Sequence, residues 1–109
     1  MRPKVMINQA VLSDDVIESG GCGMGKEKID RGVVIINNGL DQNVNVDVEG
    51  RGYWATNWQD TDAAPTTVAA GADGFIVVDS PWYEVRVEVT PAGIPTTGTL
   101  IIELCKAYG

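Results

Sequence analysis

Polar and apolar positions alternate with a period of two along most of this chain. From Asn43 to Glu49 every second residue is valine, which puts Val44, Val46 and Val48 on one face and only polar groups on the other, the pattern of a half-buried strand. Tyr83 to Val89 repeats it, with Tyr83, Val85, Val87 and Val89 facing one way and Glu84, Arg86 and Glu88 the other. The Thr90-Pro91 step ends that strand, because proline cannot donate to a sheet ladder. Thr99 to Lys106 turns Leu100, Ile102 and Leu104 inward and leaves Ile101 and Cys105 beside Glu103 on an outer face that is more apolar than in the other two strands. Such a face calls for cover by another segment or another chain. Val33 to Ile36 and Phe75 to Val78 are continuous apolar runs closed by Asn37-Asn38-Gly39 and Asp79-Ser80-Pro81. Val5 to Leu12 and Gly52 to Trp58 also read as extended, the latter as a strand or bulged strand. Helical spacing is absent, and Ser13 to Glu18 makes at most one turn.

Short strands joined by Gly, Pro, Asn and Asp predict an all-β fold: one antiparallel β-sandwich or jelly-roll-like domain of about seven or eight strands. Parallel sheets need crossover helices for which the chain has no pattern. Residues 1–31 read as an irregular N-terminal arm and a Gly-rich loop, and 32–109 as the sandwich core, within one domain overall.

Composition narrows the function. The 109 residues are 44% hydrophobic and 21% charged, an ordinary globular balance that needs neither metal nor disulfide framework for stability. Fifteen acidic against eight basic residues give −7, a field that repels phosphate backbones, so no nucleic-acid partner is expected. Histidine is absent, which removes the commonest general base and zinc ligand; the chain is expected not to be an enzyme and to need no cofactor or metal. Neither a secretory apolar region nor a membrane-spanning stretch is present, and no Asn-x-Ser/Thr acceptor occurs, as expected for synthesis in a cytoplasm without membrane contact. Cys22 and Cys105 are too few for a disulfide scaffold; free thiols, one internal bridge and a bridge between chains stay open, with free thiols favoured by the lack of an export signal.

Candidate chemistry is sparse. Gly20-Gly21-Cys22-Gly23-Met24-Gly25-Lys26 matches part of a phosphate loop, but Glu27 stands where a magnesium-binding hydroxyl belongs and no helix follows, so a surface loop is the better reading. Cys22 has only Lys26 and Lys28 nearby to lower its pKa, a weak basis for a nucleophile, and Cys105 reads as an apolar filler. Asp60, Asp62, Asp73 and Asp79 offer oxygen ligands for calcium only if their loops meet, and solvated loop acids explain them better. Tyr53, Trp54, Trp58, Trp82 and Tyr83 are five of the seven aromatics; packing in the core or between subunits is the common use of such rings, and ligand stacking by Tyr53, Trp54, Trp58 and Trp82 is the alternative.

The order of Asn43 to Gly50, Tyr53-Trp54, Asn57-Trp58-Gln59-Asp60, Val68-Ala69-Ala70-Gly71, Pro81-Trp82-Tyr83-Glu84-Val85-Arg86-Val87 and Pro95-Thr96-Thr97-Gly98-Thr99-Leu100 resembles small β-sandwich virion proteins of tailed bacteriophages and prophages. The resemblance runs from about Ile35 to Leu104 and carries no catalytic residue. It implies a non-enzymatic structural protein of a phage or phage-like particle: a capsid decoration or cement protein, or a tail-associated one. The implied location is the virion, with the chain itself and a major capsid or tail protein as partners, in a homo-oligomer for which threefold sites suggest a trimer. Val5, Ile7 and Val11 on the arm, with Ile101 and Cys105 on the last strand, are the expected interface, the arm reaching a neighbour by strand addition. A carbohydrate- or small-ligand-binding module using the four exposed aromatics is the alternative.

Overall fold

The computed structural model describes residues 4–23, 29–52, 54, 56–61, 63–78 and 82–108. Ten strands follow one another: β1 (Lys4–Gln9), β2 (Ile17–Glu18), β3 (Cys22–Gly23), β4 (Ile29–Asn38), β5 (Val44–Arg51), β6 (Gln59–Asp60), β7 (Thr66–Val68), β8 (Asp73–Val78), β9 (Glu84–Pro91) and β10 (Leu100–Tyr108). They form two antiparallel sheets of a single β-sandwich. The first sheet has the order β1-β10-β4-β8; the second is built on the β9-β5 pair, with β2 and β3 along the free side of β9, and β6 and β7 along that of β5. Among the described residues no helix is long and apolar enough to cross a membrane.

Alternation produces this architecture directly. Val44, Val46 and Val48 of β5 and Val85, Val87 and Val89 of β9 are fully buried, facing Val34 and Ile36 of β4, Ile76 and Val78 of β8, and Leu100, Ile102 and Leu104 of β10 across the sandwich. The inward set is almost all β-branched or leucine, side chains that suit a pleated surface and lose little rotamer freedom there. The runs Val33–Ile36 and Phe75–Val78 alternate too: Val34, Ile36, Ile76 and Val78 turn inward, and Val33, Ile35, Phe75 and Val77 turn outward.

Three expectations are corrected. Residues 4–23 are not an arm, because β1 pairs with β10 while β2 and β3 pair with β9, and the division between 31 and 32 falls inside β4. Ile7 and Val11, expected at an interface, are core residues. Edge strands need only one or two inward side chains, so Val5 to Leu12, read as extended, shows too little alternation to reveal that it joins a sheet. Gly52 to Trp58 is not a strand in its described part; β5 ends at Arg51, and the next ladder begins at Gln59.

Polar groups continue the ladders where the short strands break. Ser19, between β2 and β3, donates its backbone N–H to the Val87 carbonyl at 3.0 Å and accepts the Val87 N–H on its hydroxyl at 2.9 Å. Gly98 turns the chain into β10 with φ +95°, and a Cβ there would collide with the Gly39 carbonyl oxygen, so both conformation and space demand glycine.

Candidate functional site

The two outer faces of the sandwich differ in chemistry. On the second sheet, register sets Arg51 opposite Glu84, Glu49 opposite Arg86, and Asp47 opposite Glu88. The Arg51 Nε and Nη2 both donate to Glu84 Oε1, at 3.0 and 2.8 Å. Arg86 bridges two carboxylates, Glu49 at 2.9 Å and Glu18 at 2.6 Å. The Trp58 ring lies over both guanidiniums, 4.6 Å from Arg51 and 4.7 Å from Arg86, a cation–π arrangement that holds the ring against the sheet. Trp82 packs against the core, over Gly50, where any Cβ would strike its ring.

The four proposed stacking aromatics therefore do not form one described platform. Trp58 is engaged by arginines and Trp82 by the core, Trp54 is 89% exposed, and Tyr53 lies outside the described residues. Tyr83 is half-buried, its N–H donating to the Arg51 carbonyl at 3.1 Å.

Acid balance on this face has a measurable consequence. Asp47 is pushed above the usual carboxylate range by burial and then by Asp60, and Glu88 by burial and then by Glu49, Glu18 and Asp47. A carboxyl whose pKa is raised by folding favours the folded state below its ordinary pKa, and this contribution is lost as pH rises through the raised value. Asp41 acts oppositely: hydrogen bonds from Thr96 lower its pKa, so its contribution is lost on acidification. The double substitution Asp47→Asn, Glu88→Gln is expected to raise the melting temperature at pH 7. It is also expected to remove the stabilisation that protonating these two carboxyls gives the parent as pH falls from 7 toward the ordinary carboxylate range. Thermal melts of both proteins across that range check it.

Among the described side chains, the outer face of the first sheet carries fewer charges than that of the second. Its residues form rows across the strands: Asn8, Ile101, Asn37 and Asp73; then Val5, Glu103, Ile35 and Phe75; then Cys105, Val33 and Val77. The first row is mostly polar. In the other two, Ile35 faces Phe75 and Val33 faces Val77, with Phe75 66%, Ile35 40% and Val77 38% exposed. An aromatic and β-branched patch thus lies on β4 and β8 and runs to the edge of the sheet. Contiguous exposed apolar surface of this kind marks a contact site.

Of the expected interface residues, Ile101 and Cys105 lie half-buried on this face, and Val5 is exposed across Glu103 from the patch. Val33, Ile35, Phe75 and Val77 were the missed part. Their signal was the two continuous apolar runs, which mean apolar residues on both faces of a strand. Cys105 is a free thiol on the first sheet, whereas Cys22 belongs to β3 of the second. Asp60 and Asp73 sit on different sheets, Asp62, Asp79 and the phosphate-loop-like residues 24–28 lie outside the described residues, and no group of three metal-ligating side chains occurs among those described.

No protein-family model and no curated protein matches the chain. Among solved structures it is similar to the PBSX exported protein XepA, with a TM-score of 0.78 and 15% identity over 99% of this chain. The chain spans 37% of XepA. It is also similar to PirA, with a TM-score of 0.57 and 15% identity, covering 92% of this chain and 91% of that one. At this identity the likeness is one of fold: an all-β sandwich shared with part of XepA and with nearly all of PirA.

Proposed function

We propose that this chain is a non-enzymatic structural protein of a phage or phage-like particle, a capsid decoration or tail-associated protein that works through protein contacts. The observation that carries the reading is the apolar patch of Val33, Ile35, Phe75 and Val77 on an otherwise acidic sandwich. Apolar contact supplies affinity where charge opposes approach to an acidic surface, and a rigid sheet presents the patch without ordering cost. The fold likeness to part of the PBSX exported protein XepA lends support to the setting. The charged second sheet is then the solvent side, where the bridged arginines and Trp58 keep the surface wet and fixed.

The test is fractionation. Particles released by prophage induction from source cells are banded on a density gradient and analysed by peptide mass spectrometry. The chain is expected in the particle band, and the Ile35→Lys variant is expected to leave it while melting as the parent does. A chain found only in particle-free fractions overturns the reading.

A further inference from the structure

The edges of the two sheets are not equally protected. In the second sheet every outer strand is two or three residues long. In the first sheet, β1 is an edge with Lys4, Asn8 and Gln9 along it and a register irregularity between Val5 and Ile7. Short strands, lysine and bulges are the devices that blunt an edge against pairing. The other edge, β8, has none of them. It runs Asp73-Gly74-Phe75-Ile76-Val77-Val78, is regular against β4 over its length, and has no ladder on its far side among the described residues. It is also the strand that carries the most exposed part of the apolar patch.

We infer that β8 pairs with β8 of a second copy of this chain, antiparallel about a two-fold axis, joining two four-stranded sheets into one. The strand's own sequence argues for a second copy. In antiparallel pairing opposed residues share a face, so a two-fold must pass through one residue, and a register centred on Ile76 is self-complementary. Phe75 then faces Val77 of the second copy and Val77 faces its Phe75, an aromatic and β-branched pair on each side of the axis. Ile76 meets Ile76, and Val78 meets Gly74, along the inner face. No charge opposes another from Gly74 to Val78; one step further out the same register would set Asp73 against Asp79 of the second copy, so acid against acid limits the pairing to these five residues.

This deepens the proposed function, on which it rests for its biological setting: pairing doubles the apolar outer face into one continuous platform for a particle protein. It also favours a dimer over the trimer implied by the resemblance, since an isologous contact uses the open edge completely. The −7 charge on each copy opposes approach at long range, so association should strengthen with salt.

Sedimentation velocity of the full chain over a wide concentration range, with reductant throughout, tests the inference. The parent is expected to form a two-copy species. Val77→Lys is expected to be monomeric and to melt as the parent does at concentrations where the parent is also monomeric, whereas Ile35→Lys, one strand in from the edge, keeps the dimer. Hydrogen exchange should show β8 amides becoming more protected as concentration rises. A parent that stays monomeric overturns the inference, as does a threefold species. Loss of the dimer in Ile35→Lys with β8 exchange unchanged overturns it too, in favour of face-to-face stacking. Dimerisation and particle association are read separately, so either proposal can fail alone.

Discussion

A chain lacking residues 1–12 is expected to lose its cooperative unfolding transition, and not merely a contact with a neighbour. β1 lies along β10 with Val5 opposite Glu103, Ile7 opposite Ile102 and Gln9 opposite Leu100. Its removal deletes Ile7 and Val11 from the core, each worth about 1.5–3 kcal/mol of burial. It also exposes the edge of β10, whose inward Leu100, Ile102 and Leu104 are fully buried in the intact sandwich. Together these losses reach the scale of total domain stability, about 5–15 kcal/mol. Differential scanning calorimetry of the truncated chain checks this; a sharp transition within a few degrees of the parent's would mean that the segment is dispensable. The consequence for function is direct. A truncation that stops particle association would report unfolding, so surface substitutions on β4 and β8 are the informative variants.

Asn38→Leu is expected to cost at least about 3 kcal/mol, although leucine is similar in size. Asn38 ends β4 and is fully buried. Its amide nitrogen shares its two N–H groups among the carbonyls of Gln42 at 2.9 Å, Val68 at 3.0 Å and Ala69 at 3.2 Å, and its carbonyl oxygen accepts the Leu40 N–H at 3.1 Å. Its backbone donates to Ala72 and accepts from Gly71, at 3.0 and 2.8 Å. One side chain thus joins the β4–β5 connection to the turn between β7 and β8, and so places the strand that carries Phe75 and Val77. Leucine removes this partner from the Gln42 and Val68 carbonyls and the Leu40 N–H, at a desolvation cost, while the Ala69 carbonyl keeps the Ala72 N–H at 3.0 Å. Asn38→Asp should be destabilised in a pH-dependent way. Burial raises the new carboxyl's pKa, so its fold is most stable when protonated and weakens as pH rises. Urea melts at several pH values distinguish the two variants; a loss below about 1 kcal/mol for leucine would show that water replaces the amide.

How much of this was legible depends on which positions repeat. β5 and β9 show strict alternation because one face meets the core and the other meets water, and there the sequence determined the strands and their inward valines, whereas Tyr83, expected to face inward with them, is half-buried just before β9 and Trp82 packs on the core. By contrast, Asn38 looked like a turn residue, since its type says nothing of burial; only the meeting of two distant connections supplies the carbonyls that make asparagine fit. Trp54 and Trp58 share parity in the sequence, but parity has meaning only within a strand, and the chain leaves the sheet at Arg51.

By itself, then, the sequence determined the class of fold, the inward faces of the long strands and the acidic character of the surface, because a period of two and a net charge are local or additive properties. The tertiary structure decided the rest. Placing β8 at an open edge, β1 inside the domain and Val33, Ile35, Phe75 and Val77 in one patch depends on which strands become neighbours. Pairings between strands distant in the chain follow from how the whole set of inward side chains fills one shared interior, which no single segment encodes.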